Sequence, residues 1–92
     1  MNEQTLALRR YIADWDPMGF INDLDAPVDE YDAEADEIMR RISGSMSIEQ
    51  VGQTIHKVFA DYMEIDPPGF EAVCLNHAKA IMEIIRSKRQ DS

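Results

Sequence analysis

The amino-acid sequence predicts an all-α protein, a small bundle-like domain of four main helices with one additional short helix. Two observations predict this fold class. Apolar residues recur at helical spacing over four long stretches, whereas the alternating pattern of β-strands and an Asn-Gly hairpin signal are both missing. Ninety-two residues are enough to enclose one hydrophobic core. We therefore expect a single helical domain over residues 1–92.

The four long helices are predicted from apolar residues spaced three and four positions apart. The first is expected over residues 5–15 and the second over residues 30–42. The third is expected over residues 48–63 and the fourth over residues 67–88. We expect the end of the last helix, residues 85–92, to be frayed. Short connections between these segments favour a bundle.

A five-residue segment, Asp-Pro-x-Gly-Phe, occurs twice, at residues 16–20 and 66–70. In each copy we interpret the aspartate as a helix N-cap and the proline after it as the first helical residue, where a missing N–H costs nothing. The phenylalanine is then expected to fold back over the hydrophobic residue before the aspartate, which is Trp15 in the first copy and Ile65 in the second. The repeat therefore predicts two helix starts.

The first copy is expected to begin only a short helix, over residues 17–24. Pro27 ends that segment because it disfavours helical geometry at Ala26. A third helix start is predicted at Ser47, without proline. Ser47 is expected to cap the helix, and Gln50 completes a capping box three residues later.

The same opening stretch matches part of a calcium-binding loop. Counted from Asp14, residues 14–25 place Asp at the first, third and twelfth positions, Gly at the sixth and Asn at the ninth. Met18 at the fifth position offers no side-chain oxygen, and the second copy of the repeat lacks the pattern. A divalent-cation site over residues 14–25 is therefore an alternative interpretation. We predict no resident metal and no cofactor.

Acidic residues are concentrated in one half of the chain. The segment from Asp14 to Glu37 contains ten acidic residues and no Lys or Arg. Asp36 and Glu37 are expected to pair with Arg40 and Arg41, four positions later. A solvated face explains much of the remaining charge. The functional interpretation is a docking surface for a basic protein, with an aromatic anchor. Its predicted residues are Asp23, Asp25, Asp29, Glu30, Tyr31 and Asp32.

Recognised catalytic motifs are missing from the sequence. It has no phosphate-binding glycine loop, no serine nucleophile elbow and no dinucleotide fingerprint. Cys74 and His77 lie on the apolar stripe of the last predicted helix, so we expect a buried thiol beside a core histidine. We therefore expect a protein that is not an enzyme but a protein-protein interaction module, with a homo-oligomeric structural protein as the alternative.

Charge and cysteine content restrict the environment. A net charge of −9 argues against nucleic-acid binding and against anionic membrane surfaces. The single cysteine excludes an internal disulfide, and the charged N-terminal segment is unlike a signal peptide. No apolar run approaches the ~20 residues that a membrane span needs. We expect a cytoplasmic protein that binds neither nucleic acid nor membrane.

Two short motifs carry a resemblance to a known family. Trp-Asp-Pro-Met-Gly-Phe at residues 15–20 is followed by Asp-Glu-Tyr-Asp at residues 29–32. With these motifs the chain resembles a small bacterial domain family of unknown function, best known from Bacillus-type proteins of about this length. The resemblance covers nearly the whole chain. It implies a compact all-helical fold and brings no activity with it.

Overall fold

The computed structural model describes residues 3–27, 29–64 and 66–87. These residues form five helices and no strand, which confirms the all-α prediction of four long helices and one short helix. The helices are α1 (Glu3–Trp15), α2 (Phe20–Leu24), α3 (Asp32–Arg41), α4 (Ile48–Met63) and α5 (Phe70–Arg86). The frayed end predicted for residues 85–92 falls mainly outside the described residues.

One hydrophobic core joins the four long helices. α4 packs most extensively on α5, and α1 bridges α3 and α5. Full burial of one large apolar side chain contributes roughly 1.5–3 kcal/mol, so this shared core is the main source of stability. In the described part of the chain, no helix is long and apolar enough to cross a membrane. The largest fully buried side chains are Leu8, Ile12, Tyr31, Ile38, Val51, Ile55, Val58, Phe59, Cys74, Ile81 and Met82.

Gly52 allows α4 and α5 to approach closely. A methyl group at this position would lie 3.1 Å from the Cα atom of Leu75, which belongs to the backbone of α5. A glycine inside a helix costs about 1 kcal/mol relative to alanine. The close contact between the two longest helices explains why glycine stands here.

The start of α4 matches its prediction. The Ser47 hydroxyl accepts a hydrogen bond from the backbone N–H of Gln50 at 3.1 Å. The Gln50 side-chain oxygen accepts one from the backbone N–H of Ser47 at 2.9 Å, which completes the capping box. The helix runs over the predicted residues, Ile48–Met63. Its boundary is set by residues adjacent in sequence.

Both copies of the repeated segment precede a helix, but the predicted first residue is wrong in each. The helices begin at Phe20 and Phe70, three residues later than predicted. The glycine before each phenylalanine is left-handed, with φ of +73° at Gly19 and +82° at Gly69. A residue in that conformation cannot continue a right-handed helix, so the proline and glycine form a turn instead. The backbone N–H of Phe70 closes the second turn on the carbonyl of Pro67 at 3.1 Å.

Candidate interaction surface

Tyr31 is buried, with 1% of its surface exposed, so its predicted role as an exposed anchor is wrong. Its hydroxyl donates a hydrogen bond to the Asp16 carboxylate at 2.6 Å. The same oxygen accepts hydrogen bonds from the backbone N–H groups of Met18 and Phe20, at 3.2 and 3.3 Å. The Phe20 ring also stacks on the Tyr31 ring, with centroids 6.2 Å apart. Tyr31 therefore fastens the start of α3 to the turn before α2.

The Asp16 carboxylate caps α2 from outside the helix. It accepts hydrogen bonds from the backbone N–H groups of Ile21 and Asn22, at 3.1 and 3.0 Å, and from the Asn22 side chain at 2.9 Å. Burial opposes ionisation of Asp16, but the hydrogen bonds from Tyr31, Asn22 and Ile21 outweigh it and hold the pKa of Asp16 below its ordinary value. The carboxylate is therefore committed to the fold as an anion.

A divalent-cation site over residues 14–25 receives no support from this geometry. Both oxygens of Asp16, the third position of the loop pattern, are engaged in hydrogen bonds within the protein. Within residues 3–27, 29–64 and 66–87, no three side chains of His, Cys, Asp or Glu are grouped closely enough to hold a metal ion. The loop pattern in the sequence arises from a cap and a turn.

Trp15 packs on α5 instead of on Phe20, which was its predicted partner. Its ring stacks on the His77 ring with centroids 4.0 Å apart. It also lies 6.3 Å from the ring of Phe70, from the second copy of the repeat. The other predicted pair involves Ile65, which lies outside the described residues. Trp15 thus contributes to the core between α1 and α5.

Cys74 and His77 are in the environment that the sequence predicts. Cys74 is fully buried, and burial, with the charges of Asp66 and Glu71, raises the pKa of its thiol to about 12. The Nδ1 atom of His77 lies 2.6 Å from the Tyr11 hydroxyl. Burial lowers the pKa of His77, which keeps the ring neutral at pH 7. A thiol with this pKa is a poor nucleophile.

Three acidic residues of the segment from Asp14 to Glu37 form ion pairs with arginine. Arg9 on α1 forms hydrogen bonds to Asp36 at 2.6 and 2.9 Å and an ion pair with Asp32 at 3.3 Å. The predicted pair between Asp36 and Arg40 is replaced by this contact between helices. The hydrogen bond from Arg9 lowers the pKa of Asp36. Glu37 pairs with two arginines, which include the predicted partner, Arg41.

Glu34 is removed from the surface by burial. Its exposed fraction is small, and its Oε1 atom has no hydrogen-bond partner among the residues that the structure describes. Burial raises the pKa of Glu34, and the nearby charges of Glu30 and Asp32 raise it further. This carboxyl group therefore adds nothing to the charge that a partner could contact.

Five carboxylates in the acidic segment remain exposed, and none has an ion pair among the residues that the structure describes. We call these residues the acidic face. Four of them were predicted from the sequence as interaction residues, and Asp32, also predicted, lies at the edge with its charge matched by Arg9. The acidic face consists of Asp14, Asp23, Asp25, Asp29 and Glu30.

A groove of about 570 Å³ runs along α1 beside this face. Its apolar lining was not predicted from the sequence. The position of Leu6 could have indicated it, because this residue lies off the apolar stripe of α1. The structure leaves 48% of Leu6 exposed. Three aspartates, two arginines and one asparagine provide the polar lining. The lining residues are Leu6, Arg9, Arg10, Ala13, Asp14, Ile21, Asn22, Asp29 and Asp32.

No protein-family model, curated protein or solved structure shows significant similarity to the chain. The resemblance to a small bacterial helical family therefore stays a prediction that depends on the motifs at residues 15–20 and 29–32. The candidate surface is defined by its own geometry and charge.

Proposed function

We propose that the chain is a non-catalytic protein-interaction module that binds a basic protein through the acidic face. The observation that carries this proposal is the group of five exposed carboxylates that have no ion pair in the described part of the chain. Other carboxylates of the same segment are buried or matched by arginine, as at Asp16 and Asp36. Among the described residues, internal pairing therefore leaves the charge of the acidic face uncompensated by lysine or arginine.

A basic partner would gain mainly in association rate. Clustered exposed charge attracts an oppositely charged protein before contact and is screened over about 8 Å at physiological salt. The Asp16–Tyr31 hydrogen bond supports this role, because it ties together the two ends of the segment that contains Asp23 and Asp25. A face that is already ordered loses little conformational entropy on binding.

The test is affinity capture with charge-reversed protein. The variant Asp23→Lys with Asp25→Lys reverses two of the five charges of the acidic face, and Glu49→Lys with Glu83→Lys changes the net charge equally at exposed sites on α4 and α5. We expect wild type and the control variant to retain the same basic protein from native lysate at low salt. The acidic-face variant is expected to lose it. Retention by all three proteins, or by none, would contradict the proposal.

Self-association is a second candidate function, favoured by apolar side chains beside Gly52. Ile48, one helical turn before Gly52, and Leu75, which packs against it, are both exposed. A second copy of the chain could cover them. Light scattering at increasing protein concentration tests this alternative, because a mass that stays at that of one chain would exclude it.

A further inference from the structure

We infer that the groove along α1 binds a cationic peptide segment that carries one aliphatic side chain. This inference rests on the proposed function and narrows it to one site and one class of ligand. The groove combines an apolar floor with carboxylates at its rim, so it suits a segment with both properties. A purely charged segment would leave the floor exposed to water.

The floor of the groove is formed by aliphatic groups from two elements. Leu6 and Ala13 come from α1, and Ile21 comes from α2. Leu6 is nearly half exposed, while Ala13 and Ile21 are partly exposed. An aliphatic side chain of the partner would remove this surface from water, which is the strongest general driving force for association.

The rim provides the charge complementarity. Asp14 and Asp29 line the groove and have no ion pair among the described residues, so each can accept a hydrogen bond from lysine or arginine. The Arg9 guanidinium also lines it, but Asp32 and Asp36 compensate its charge. Two carboxylates are therefore available to a cationic ligand.

Arg10 restricts which peptides fit. It lines the same groove, is exposed and has no carboxylate partner in the described part of the chain. It would repel a cation placed directly beside it and can donate to a carbonyl or carboxylate there. A polycation is thus a poorer match than a segment in which the basic residues flank an aliphatic one.

A second groove, on the other side of Arg9, differs because its carboxylates are already paired with arginine. Its volume is similar, about 530 Å³, and it includes two carboxylates, those of Asp36 and Glu37. Both are already paired with arginine. A cationic ligand would have to displace an internal ion pair there, so the observations favour the first groove.

The test uses fluorescein-labelled peptides whose binding is followed by fluorescence anisotropy. One peptide has lysines on both sides of a single leucine, and the other has serine in place of that leucine. The wild-type protein is compared with Leu6→Ser and with Leu24→Ser, which alters a more exposed leucine outside the groove. Circular dichroism confirms that each variant is folded.

We expect wild type to bind the leucine peptide about tenfold more tightly than the serine peptide, from the loss of about two methylene equivalents of burial. Leu6→Ser should remove this preference, and Leu24→Ser should keep it. Asp29→Asn should weaken both peptides several-fold, because it removes one rim charge.

The proposed groove site would be overturned if wild type had equal affinity for the two peptides. It would also be overturned if Leu6→Ser and Leu24→Ser changed the preference for the leucine peptide equally. In that case, if wild type binds both peptides and the Asp23→Lys, Asp25→Lys variant binds neither, the acidic face acts as a general electrostatic surface and not as a site with an apolar groove. Failure of the leucine peptide to bind would also overturn the proposed groove site, while the proposed function is judged separately by the capture of a native partner.

Discussion

The two copies of Asp-Pro-x-Gly-Phe both have a left-handed glycine before the phenylalanine that begins a helix, but they bury opposite residues. In the first copy the aspartate is buried: Asp16 is 8% exposed, and Phe20 is partly exposed. In the second copy the aromatic is buried: Phe70 is 6% exposed, and the Asp66 side chain is 57% exposed. Each copy forms a turn, but the turns differ by one residue: the Asp16 carbonyl accepts from the N–H of Gly19 at 2.9 Å, and the Pro67 carbonyl accepts from the N–H of Phe70 at 3.1 Å.

The difference arises from the partners that the fold supplies. Asp16 meets Tyr31, whose hydroxyl donates to it in the protein interior. Asp66 meets His56 at 2.8 Å, near the surface. The Phe70 ring instead contacts Phe59 and Trp15, with centroids 5.9 and 6.3 Å away. A repeated motif therefore predicts a repeated turn, whereas tertiary contacts decide which of its side chains stabilises the protein.

The largest expected effect is a difference in stability between the Phe70→Ala and Phe20→Ala variants. Phe70→Ala should lower the free energy of unfolding by about 3–4 kcal/mol, because it leaves a cavity beside Phe59. Phe20→Ala should cost about 1–2 kcal/mol, since its ring is partly solvated and stacks on Tyr31 at the edge of the core. Urea unfolding of both variants measures the difference. Equal losses would show that the two copies depend on their phenylalanines to the same extent and would contradict the comparison.

The second expected effect is a difference in stability between the Asp16→Asn and Asp66→Asn variants. Asp16→Asn should lower the urea midpoint clearly, because the amide cannot accept all the hydrogen bonds that the carboxylate accepts. Asp66→Asn should change the free energy of unfolding by less than about 0.5 kcal/mol, as is usual for exposed ion pairs. Tyr31→Phe alone should cost about 1–3 kcal/mol through the unpaired groups that it leaves.

Acid titration extends the comparison of the aspartates. The pKa of Asp16 is lowered in the folded protein, so its contribution is complete above the unfolded value of 3.8 and is lost as pH falls through the folded value. Asp16→Asn should therefore weaken the loss of stability in strong acid. Asp16→Asn combined with Tyr31→Phe should cost less than the sum of the two single changes. Additive effects would contradict a single Asp16–Tyr31 unit.

The smallest effect comes from His77, which lies where the two copies meet through Trp15. Burial lowers the pKa of His77, so the unfolded chain binds the proton first as pH falls through 6.5. Stability is therefore complete above that value and declines below it. The decline should be less than about 1 kcal/mol, since the ring is partly solvated.

Thermal unfolding between about pH 5 and pH 8 measures this decline, with fluorescence of the single tryptophan as the probe. His77→Gln removes the titrating group and should flatten the profile. His56→Gln is the control and should retain the decline that His77 causes. A profile unchanged by His77→Gln would show that this histidine is not responsible.

Local signals in the sequence were sufficient for much of the fold. The Ser47–Gln50 capping box predicted the start of α4 because its hydrogen bonds join residues three apart. The starts of α2 and α5 were displaced because the left-handed glycines prevent a helix from beginning at the prolines. Propensity identified the helix, and the conformation of one residue set its boundary.

The candidate surface was less predictable, because it depends on residues far apart in the chain. The acidic face was visible as a run of charge, but the pairing of Arg9 with Asp32 and Asp36 joins α1 to α3. Tyr31 was assigned to the surface from its acidic neighbours in sequence. Its place on the same helical stripe as Ala35 and Ile38 was the better signal, since all three are buried.

The close contact at Gly52 has a consequence for the order in which the molecule opens. Because Gly52 has no side chain, the backbones of α4 and α5 approach closely there. These two helices share the most extensive interface in the fold. Amide protons in the middle of this pair should exchange with deuterated solvent last, and those of the five-residue α2 should exchange early. The candidate binding groove includes Ile21 and Asn22 of α2, so a bound peptide should slow exchange in α2 first.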